Sequence, residues 1–262
     1  MARTSPFTDL TALVSRFHSE DKCREYLEQL RWPDGVRCPR CHARKGISRI
    51  ETRGQFECNS CGYQFSVRVG TVFHDSHLPL WKWFLAVYVM GHSQHGVSAN
   101  QLRRMLGLSY KTAWYLCHRI RSAMKDEASQ LMRRMVDAGG AFNPETLHQF
   151  LSDVLADDAE AIDAVRGYLG LGDGSASQTL LNHSDMSVQG DTDTNAIESV
   201  GSLFKRSVAG SYHHLSAKHL PAYLDEIAFR YNNRENAYLF RDTLRRLIGA
   251  DSIPYAELIA TP

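Results

Sequence analysis

The 262-residue sequence has no acidic residue between Ser76 and Lys125. A solvated protein surface usually mixes charges of both signs, so this absence argues against an ordinary exposed face. The sequence also lacks any run of about 18 apolar residues, and the apolar stretch Leu78–Met90 is interrupted by Lys82. No membrane-spanning segment is therefore expected, and the cytoplasm is the expected compartment.

The charges that are present are divided unevenly along the chain. Residues 31–125 contain 15 Lys and Arg against 4 Asp and Glu, whereas residues 126–200 contain 3 against 14. The formal net charge of +1 conceals this division. A strongly basic segment is typical of proteins that bind the phosphate backbone of nucleic acid. We therefore expect a nucleic-acid partner for the basic part of the chain and no membrane partner.

Four of the six cysteines stand in two CxxC pairs: Cys38, Cys41, Cys58 and Cys61. Two such pairs can bring four thiolates to one tetrahedral zinc ion, with a hairpin between them formed by residues 47–50 and 55–57. A closed site of four cysteines leaves no ligand position for water, so we predict a structural Zn²⁺ ribbon rather than a catalytic zinc site. The alternative is two disulfides in a secreted domain. It is disfavoured because no signal peptide is expected and the remaining two cysteines show no pairing pattern.

Residues 97–124 have the pattern of a helix-turn-helix. A short helix ends at Leu106, a turn follows in which Ser109 can cap the next helix, and a basic helix runs from Tyr110 to Met124. In that motif the first turns of the second helix enter the major groove. The predicted base-facing residues are Ser109, Tyr110, Lys111 and Thr112, and the predicted phosphate contacts are Arg103, Arg104, Arg119 and Arg121. A plain packed helical hairpin is the alternative interpretation.

Short motifs extend along the chain at Cys23–Leu27, Arg31–Gly35, the two CxxC pairs, Gly70–Phe73, Ser109–Trp114, His118–Arg121, Asn182–Ser184, Thr194–Glu198, Leu203–Arg206, Gly210–His214 and Phe229–Asn232. In these motifs the sequence resembles the ISXO-like group of DDE insertion-sequence transposases, which carry an N-terminal zinc ribbon. The resemblance covers about residues 20–125 and 180–245.

That resemblance implies a ribonuclease-H-like core that cleaves DNA and transfers strands with two divalent ions, Mg²⁺ or Mn²⁺. The implied ligands are Asp137, Asp163 and Glu198, with Asn195 as a competing candidate for the third position. Lys205 follows Glu198 by two helical turns on the same face, where it would contact phosphate. The implied partners are double-stranded DNA, both element ends and target, and further copies in a homo-oligomer, since transposases usually work as multimers.

The sequence departs from that family between Met124 and Asn182. These 58 residues show no run of strands of the kind that should carry the first Asp, and only 26 residues separate Asp137 from Asp163. The separation of 35 between Asp163 and Glu198 suits a DDE core, although both residues can equally be surface acids on helices. We infer an internal deletion at about residues 137–143, which would leave strand edges unpaired and the two-metal site incomplete.

The sequence thus predicts an α+β, helix-rich protein. The expected domains are N-terminal helices in residues 1–35, a zinc ribbon in 36–70, a helix-turn-helix region in 71–125 and a shortened ribonuclease-H-like (DDE) domain in 126–262. The first hypothesis is a transposase that binds element-end DNA and then cleaves and joins it. The second is a non-catalytic DNA-binding remnant or repressor. The third, a protein-interaction or RNA-binding ribbon, is disfavoured by the acid-free basic stretch.

Overall fold

The computed structural model describes residues 9–125, 207–212 and 217–260. The chain divides into two compact units. The described residues of the first unit are 9–93, 99–124 and 233–260, and those of the second are 94–98, 125, 207–212 and 217–232. The first unit therefore contains segments from both ends of the chain.

The helices set the architecture of both units. They are α1 (Leu10–Arg16), α2 (Glu20–Arg31), α3 (Leu80–His92), α4 (Ala99–Leu106), α5 (Tyr110–Ala123), α6 (Leu220–Asn232), α7 (Leu239–Gly249) and α8 (Tyr255–Ile259), and α6 lies in the second unit. Among these described helices, none combines the length and apolar composition needed to cross a membrane.

Side-chain caps fix where the first two helices begin. The Asp9 carboxylate accepts a hydrogen bond from the Ala12 amide (2.7 Å) at the start of α1. The Ser19 hydroxyl accepts one from the Lys22 amide (3.3 Å) at the start of α2. Each cap satisfies an amide that has no partner within the helix and stabilises the helix by about 1 kcal/mol.

A three-stranded antiparallel sheet follows α2. Its strands, in the order β1-β2-β3, are β1 (Ile47–Ile50), β2 (Gln55–Cys58) and β3 (Gln64–Phe65). β1 pairs with β2 along its whole length. The hairpin turns at Gly54, whose φ of 59° lies in the left-handed region that glycine adopts without a steric penalty. The predicted hairpin between the CxxC pairs and the α+β class are confirmed.

A small aromatic core joins this sheet to α2. Phe56 and Phe65 are buried with their ring centroids 5.8 Å apart, and Trp32 meets Phe56 edge to face at 5.5 Å. Such aromatic pairs contribute about 0.5–1.5 kcal/mol beyond the burial of their area. On the outer side, Arg49 donates to Glu28 of α2 (2.8 Å). The ribbon is therefore packed against α2.

Two charged side chains hold the connection between the ribbon and α3. Arg68 donates to two backbone carbonyls of this connection (2.8 and 3.2 Å) and also pairs with Glu20, the first residue of α2. The Glu20 carboxylate accepts a hydrogen bond from the amide of Leu80, the first residue of α3 (2.6 Å). One carboxylate thus lies at the N-terminal ends of two helices, where the helix dipoles favour negative charge.

An aromatic cluster forms the main core of the first unit. Phe17 after α1, Phe84 of α3 and Phe240 of α7 have ring centroids 4.8–5.9 Å apart. Helix α7 also packs against α2 and α5. We therefore separate residues 233–260 from the domain predicted over residues 126–262, because the apolar face of α7 is buried against the helices of the N-terminal half.

A buried charge pair organises the described part of the second unit. Glu226 and Arg230, one turn apart on α6, form an ion pair. The Tyr212 hydroxyl donates to Glu226 (2.7 Å) and accepts from Arg230 (3.3 Å). Gly96 has a φ of 81°, and a Cβ there would collide with Tyr212 and Arg230. Glycine at position 96 is therefore required both by the backbone conformation and by the space available.

Candidate zinc centre and nucleic-acid interface

The two CxxC segments bring their four sulfur atoms together. The sulfurs of Cys38, Cys41, Cys58 and Cys61 lie within 4.8 Å of one another, with Cys38 and Cys61 3.8 Å apart and Cys41 and Cys58 3.5 Å apart. Zinc–thiolate bonds of about 2.3 Å in a tetrahedron require sulfur–sulfur distances of about 3.8 Å. The arrangement fits a structural zinc ion, as the sequence predicted. It is the one cluster of this kind among the described residues.

Backbone hydrogen bonds shape both metal-binding turns. In the first turn, the Cys38 carbonyl accepts from the His42 amide (3.0 Å). In the second turn, the Cys58 carbonyl accepts from the amides of Cys61 and Gly62 (3.3 and 2.7 Å). Each turn contains a residue with positive φ, His42 at 61° and Gly62 at 66°. The backbone thus directs both sulfurs of each pair to one point.

The thiols of this site differ in their ease of ionisation. For Cys38, removal from water opposes ionisation, but backbone hydrogen bonds from Cys41 and Arg40 and the neighbouring thiols outweigh it and lower the pKa to about 7. For Cys61, a backbone hydrogen bond from Tyr63 favours the thiolate, yet burial and the other three cysteines together raise the pKa to about 12. The site therefore retains at least one proton at neutral pH unless a cation offsets the thiolate charges.

At the start of α5 the predicted base-facing residues divide into two pairs. The Ser109 hydroxyl accepts a hydrogen bond from the Thr112 amide (3.1 Å) and lies 2.8 Å from the Thr112 hydroxyl. These two side chains are engaged with each other as the helix cap. Tyr110, with 53% of its surface exposed, and Lys111 extend into solvent. Tyr110 and Lys111 are thus the pair that can reach into a groove.

The four predicted phosphate-contacting arginines also divide. Arg104 is exposed and Arg103 is half-buried, whereas Arg119 and Arg121 are buried, with 3% and 1% of their surface exposed. Arg119 donates to two backbone carbonyls and to the Ser252 hydroxyl (3.0 Å), and burial lowers its pKa. A guanidinium enclosed in this way cannot reach a phosphate. We therefore correct the prediction for Arg119 and Arg121, which are both buried rather than exposed.

The residues that the resemblance implied for catalysis lie outside the described residues. They are Asp137, Asp163, Asn195, Glu198 and Lys205. Their assignment continues to rest on the sequence.

Two stretches of the chain match known domain families. Residues 18–64, which contain all four zinc-site cysteines, match the transposase zinc-ribbon domain. Residues 97–232, just over half of the chain, match the ISXO2-like transposase domain. The chain belongs to the ISXO2-like transposase family. The family predicted from the sequence motifs is thereby confirmed, and the match to the ISXO2-like domain ends where α6 ends.

One curated relative of this chain is an uncharacterized protein in transposable element ISH50 of Halobacterium salinarum. The two are 36% identical over 115 residues, which cover 42% of this chain and 38% of the relative. The chain therefore matches well under half of the relative's length. No solved structure matches this chain.

Sequence reasoning missed one residue beside the exposed start of α5. The Lys111 ammonium lies 4.4 Å from the centroid of the Tyr255 ring. Tyr255 belongs to no motif and to no periodic pattern that points to α5. Only the folded chain brings the two residues together.

Proposed function

We propose that this transposase binds duplex DNA by placing the first turn of α5 in the major groove. The observation that carries the proposal is the exposure of Tyr110 and Lys111 at a capped helix start within an acid-free segment. A helix N-terminus bears partial positive charge, and a lysine ammonium can bond to guanine O6 and N7 in the major groove. Arg104 on α4 is exposed beside this turn in sequence and is the proposed phosphate contact.

Lys111→Ala tests this interface. It should weaken binding of an element-end duplex by about tenfold, because a base contact and a positive charge are both lost. Lys22→Ala is the matched control, since Lys22 lies on α2 and is already paired with Glu25 (3.1 Å). Binding is measured by fluorescence anisotropy. An equal loss of DNA affinity in both variants would mean that α5 is not the recognition helix.

For the chemistry, we propose that Asp137, Asp163 and Glu198 hold two Mg²⁺ or Mn²⁺ ions, with Asn195 as the alternative third ligand. Carboxylate and amide oxygens are hard donors of the kind these ions prefer. When bound, the ions supply activation of the attacking oxygen and stabilisation of the leaving oxygen. The carboxylates fix the positions of the ions, and Lys205 binds a DNA phosphate beside them.

A strand-nicking assay tests this chemistry. Zinc-loaded protein is incubated with a duplex carrying the element's own ends and with magnesium or manganese. Nicking that Asp163→Ala abolishes is the result expected of a transposase. Strand transfer requires two ends to be held together, so we propose a homo-oligomer as the active form, which light scattering of the protein–DNA complex would detect.

A second candidate function is DNA binding without cleavage, as a repressor or competitor of an intact enzyme. The observation that favours it is the interval of only 26 residues between Asp137 and Asp163. A complete DDE core would have two further strands between its first and second Asp. An interval of this length is too short to hold both strands and their connections. Duplex binding with no nicking under either metal would support this second function and contradict the first.

A further inference from the structure

The C-terminal segment of the first unit, residues 251–259, is fastened along α5. The Tyr115 hydroxyl donates to the Ile253 carbonyl (2.7 Å), and Arg119 donates to the Ser252 hydroxyl (3.0 Å). Both α5 residues are buried or half-buried. The segment thus has a defined position on α5, and it brings Tyr255 to the turn that we propose reads DNA.

Aromatic side chains of α5 hold the Tyr255 ring at that place. The ring lies nearly perpendicular to Tyr115 (centroids 5.4 Å apart, 82°) and to Trp114 (6.3 Å, 82°). The Lys111 ammonium lies 4.4 Å from the centroid of the same ring. Two aromatic contacts therefore orient the Tyr255 ring, and that ring contacts one cation.

We propose that Tyr255 is a positioning residue for Lys111 in DNA recognition; this inference rests on the proposed function of α5. A free lysine side chain samples many rotamers, and ordering it on binding costs conformational entropy. A cation over an aromatic face is attracted to the ring while its N–H groups remain available for other acceptors. Tyr255 reduces the ordering cost by holding Lys111 near the geometry that a base edge requires.

The exposure of α5 argues against the opposite role, in which the segment covers the helix. Tyr110 and Lys111 both remain exposed with the segment in place. The segment also carries two exposed acids, Asp251 and Glu257, which would repel phosphate if they lay across the groove-facing side. The segment as it lies in the structure therefore leaves Lys111 accessible.

Two variants separate the effect of the aromatic ring on Lys111 from the effect of side-chain bulk. Tyr255→Leu removes the ring and keeps a bulky side chain, whereas Tyr255→Phe keeps the ring. The probes are the duplex that the wild-type protein enriches from a randomised pool and a scrambled duplex of the same composition. Tyr255→Leu should weaken binding of the enriched duplex about three- to fivefold while changing scrambled-duplex binding little, and Tyr255→Phe should bind as the wild type does. The matched control is Tyr238→Leu, since Tyr238 contacts the Arg241 guanidinium at the same 4.4 Å.

A double-mutant cycle gives the decisive comparison. In a Lys111→Ala background, Tyr255→Leu should have no further effect on binding, because its only route to DNA is gone. The same loss in both backgrounds, or tighter binding by Tyr255→Leu, would overturn the inference. If Lys111→Ala lowers affinity but Tyr255→Leu does not, only the role of Tyr255 is wrong. If Lys111→Ala leaves binding unchanged, the proposed role of α5 is wrong and the role of Tyr255 fails with it. Zinc content and melting temperature report that each variant is folded.

Discussion

At the scale of single residues, helix α5 contains cations in opposite surroundings. Lys111 is exposed at the start of α5, whereas Arg119 and Arg121 are buried further along it. Arg119 lies 5.2 Å from the ring centroids of Trp83 and Tyr115. Its planar guanidinium can donate in several directions and stack on aromatic rings at once, which a lysine cannot do. Basic residues in an acid-free segment are therefore partly structural.

The buried pair Glu226–Arg230 leads to a prediction about stability. Glu226→Gln should lower the free energy of unfolding by about 2–4 kcal/mol, because it removes the buried negative charge that pairs with Arg230 and disturbs the hydrogen bond from Tyr212. Glu235→Gln is the control, since Glu235 is exposed and its pair with Arg234 is long (3.7 Å). Thermal unfolding followed by circular dichroism measures both. Equal melting temperatures for the two variants would show that the pair contributes nothing.

At the scale of elements, the zinc ribbon is a small sheet whose shape depends on its metal site and on α2. The fully buried members of its hydrophobic core are only Phe56, Phe65, Cys38 and Cys58, and the residues packed around them are partly buried. A core of this size contributes little stability alone, so small domains commonly require a metal ion. The contacts of Trp32 and Arg49 join the ribbon to α2. Stabilisation of the ribbon by zinc should therefore also stabilise the packing of that helix.

The thiol pKa values predict that zinc binding releases protons. Cys61, with its pKa raised to about 12, is protonated in the metal-free protein throughout the physiological range, and Cys38, at about 7, is partly protonated at neutral pH. Zinc takes thiolates, so protons compete with it and affinity falls as pH is lowered from about pH 8 to about pH 5. Calorimetry in buffers of different ionisation enthalpy measures the release. Zinc affinity that does not change with pH would contradict the assignment of the four thiols as ligands.

The elements that the sequence predicts well are those coded by local patterns. The CxxC turns, the hairpin at Gly54 and the Ser109 cap depend on residues a few positions apart. The burial of Arg119 and the position of Tyr255 depend on residues 233–260 packing in the first unit. No periodic pattern in the sequence predicts that packing. Charge counting assigned Arg119 to DNA because a sequence pattern does not distinguish a cation on the surface from one that satisfies buried carbonyls.

At the scale of the whole molecule, the near-neutral net charge of +1 results from a basic segment and an acidic one. The basic segment contains the ribbon, α3, α4 and α5, and the acidic residues 126–200 fall within the stretch that matches the ISXO2-like domain. DNA binding and metal-ion binding need opposite charges. The division along the chain therefore agrees with a protein in which one segment binds phosphate and another holds divalent ions.

The salt dependence of binding to an element-end duplex tests the central claim most directly. Each phosphate contact adds about −0.9 to the slope of the logarithm of the binding constant against the logarithm of salt concentration. Arg103 and Arg104, the two predicted phosphate contacts that are not buried, therefore predict a slope of about −2. We expect this slope for duplex DNA between about 50 mM and about 200 mM salt, with weaker binding to single-stranded RNA of the same length. Binding that is insensitive to salt, or that prefers the RNA, would contradict the assignment of duplex DNA as the partner of this transposase.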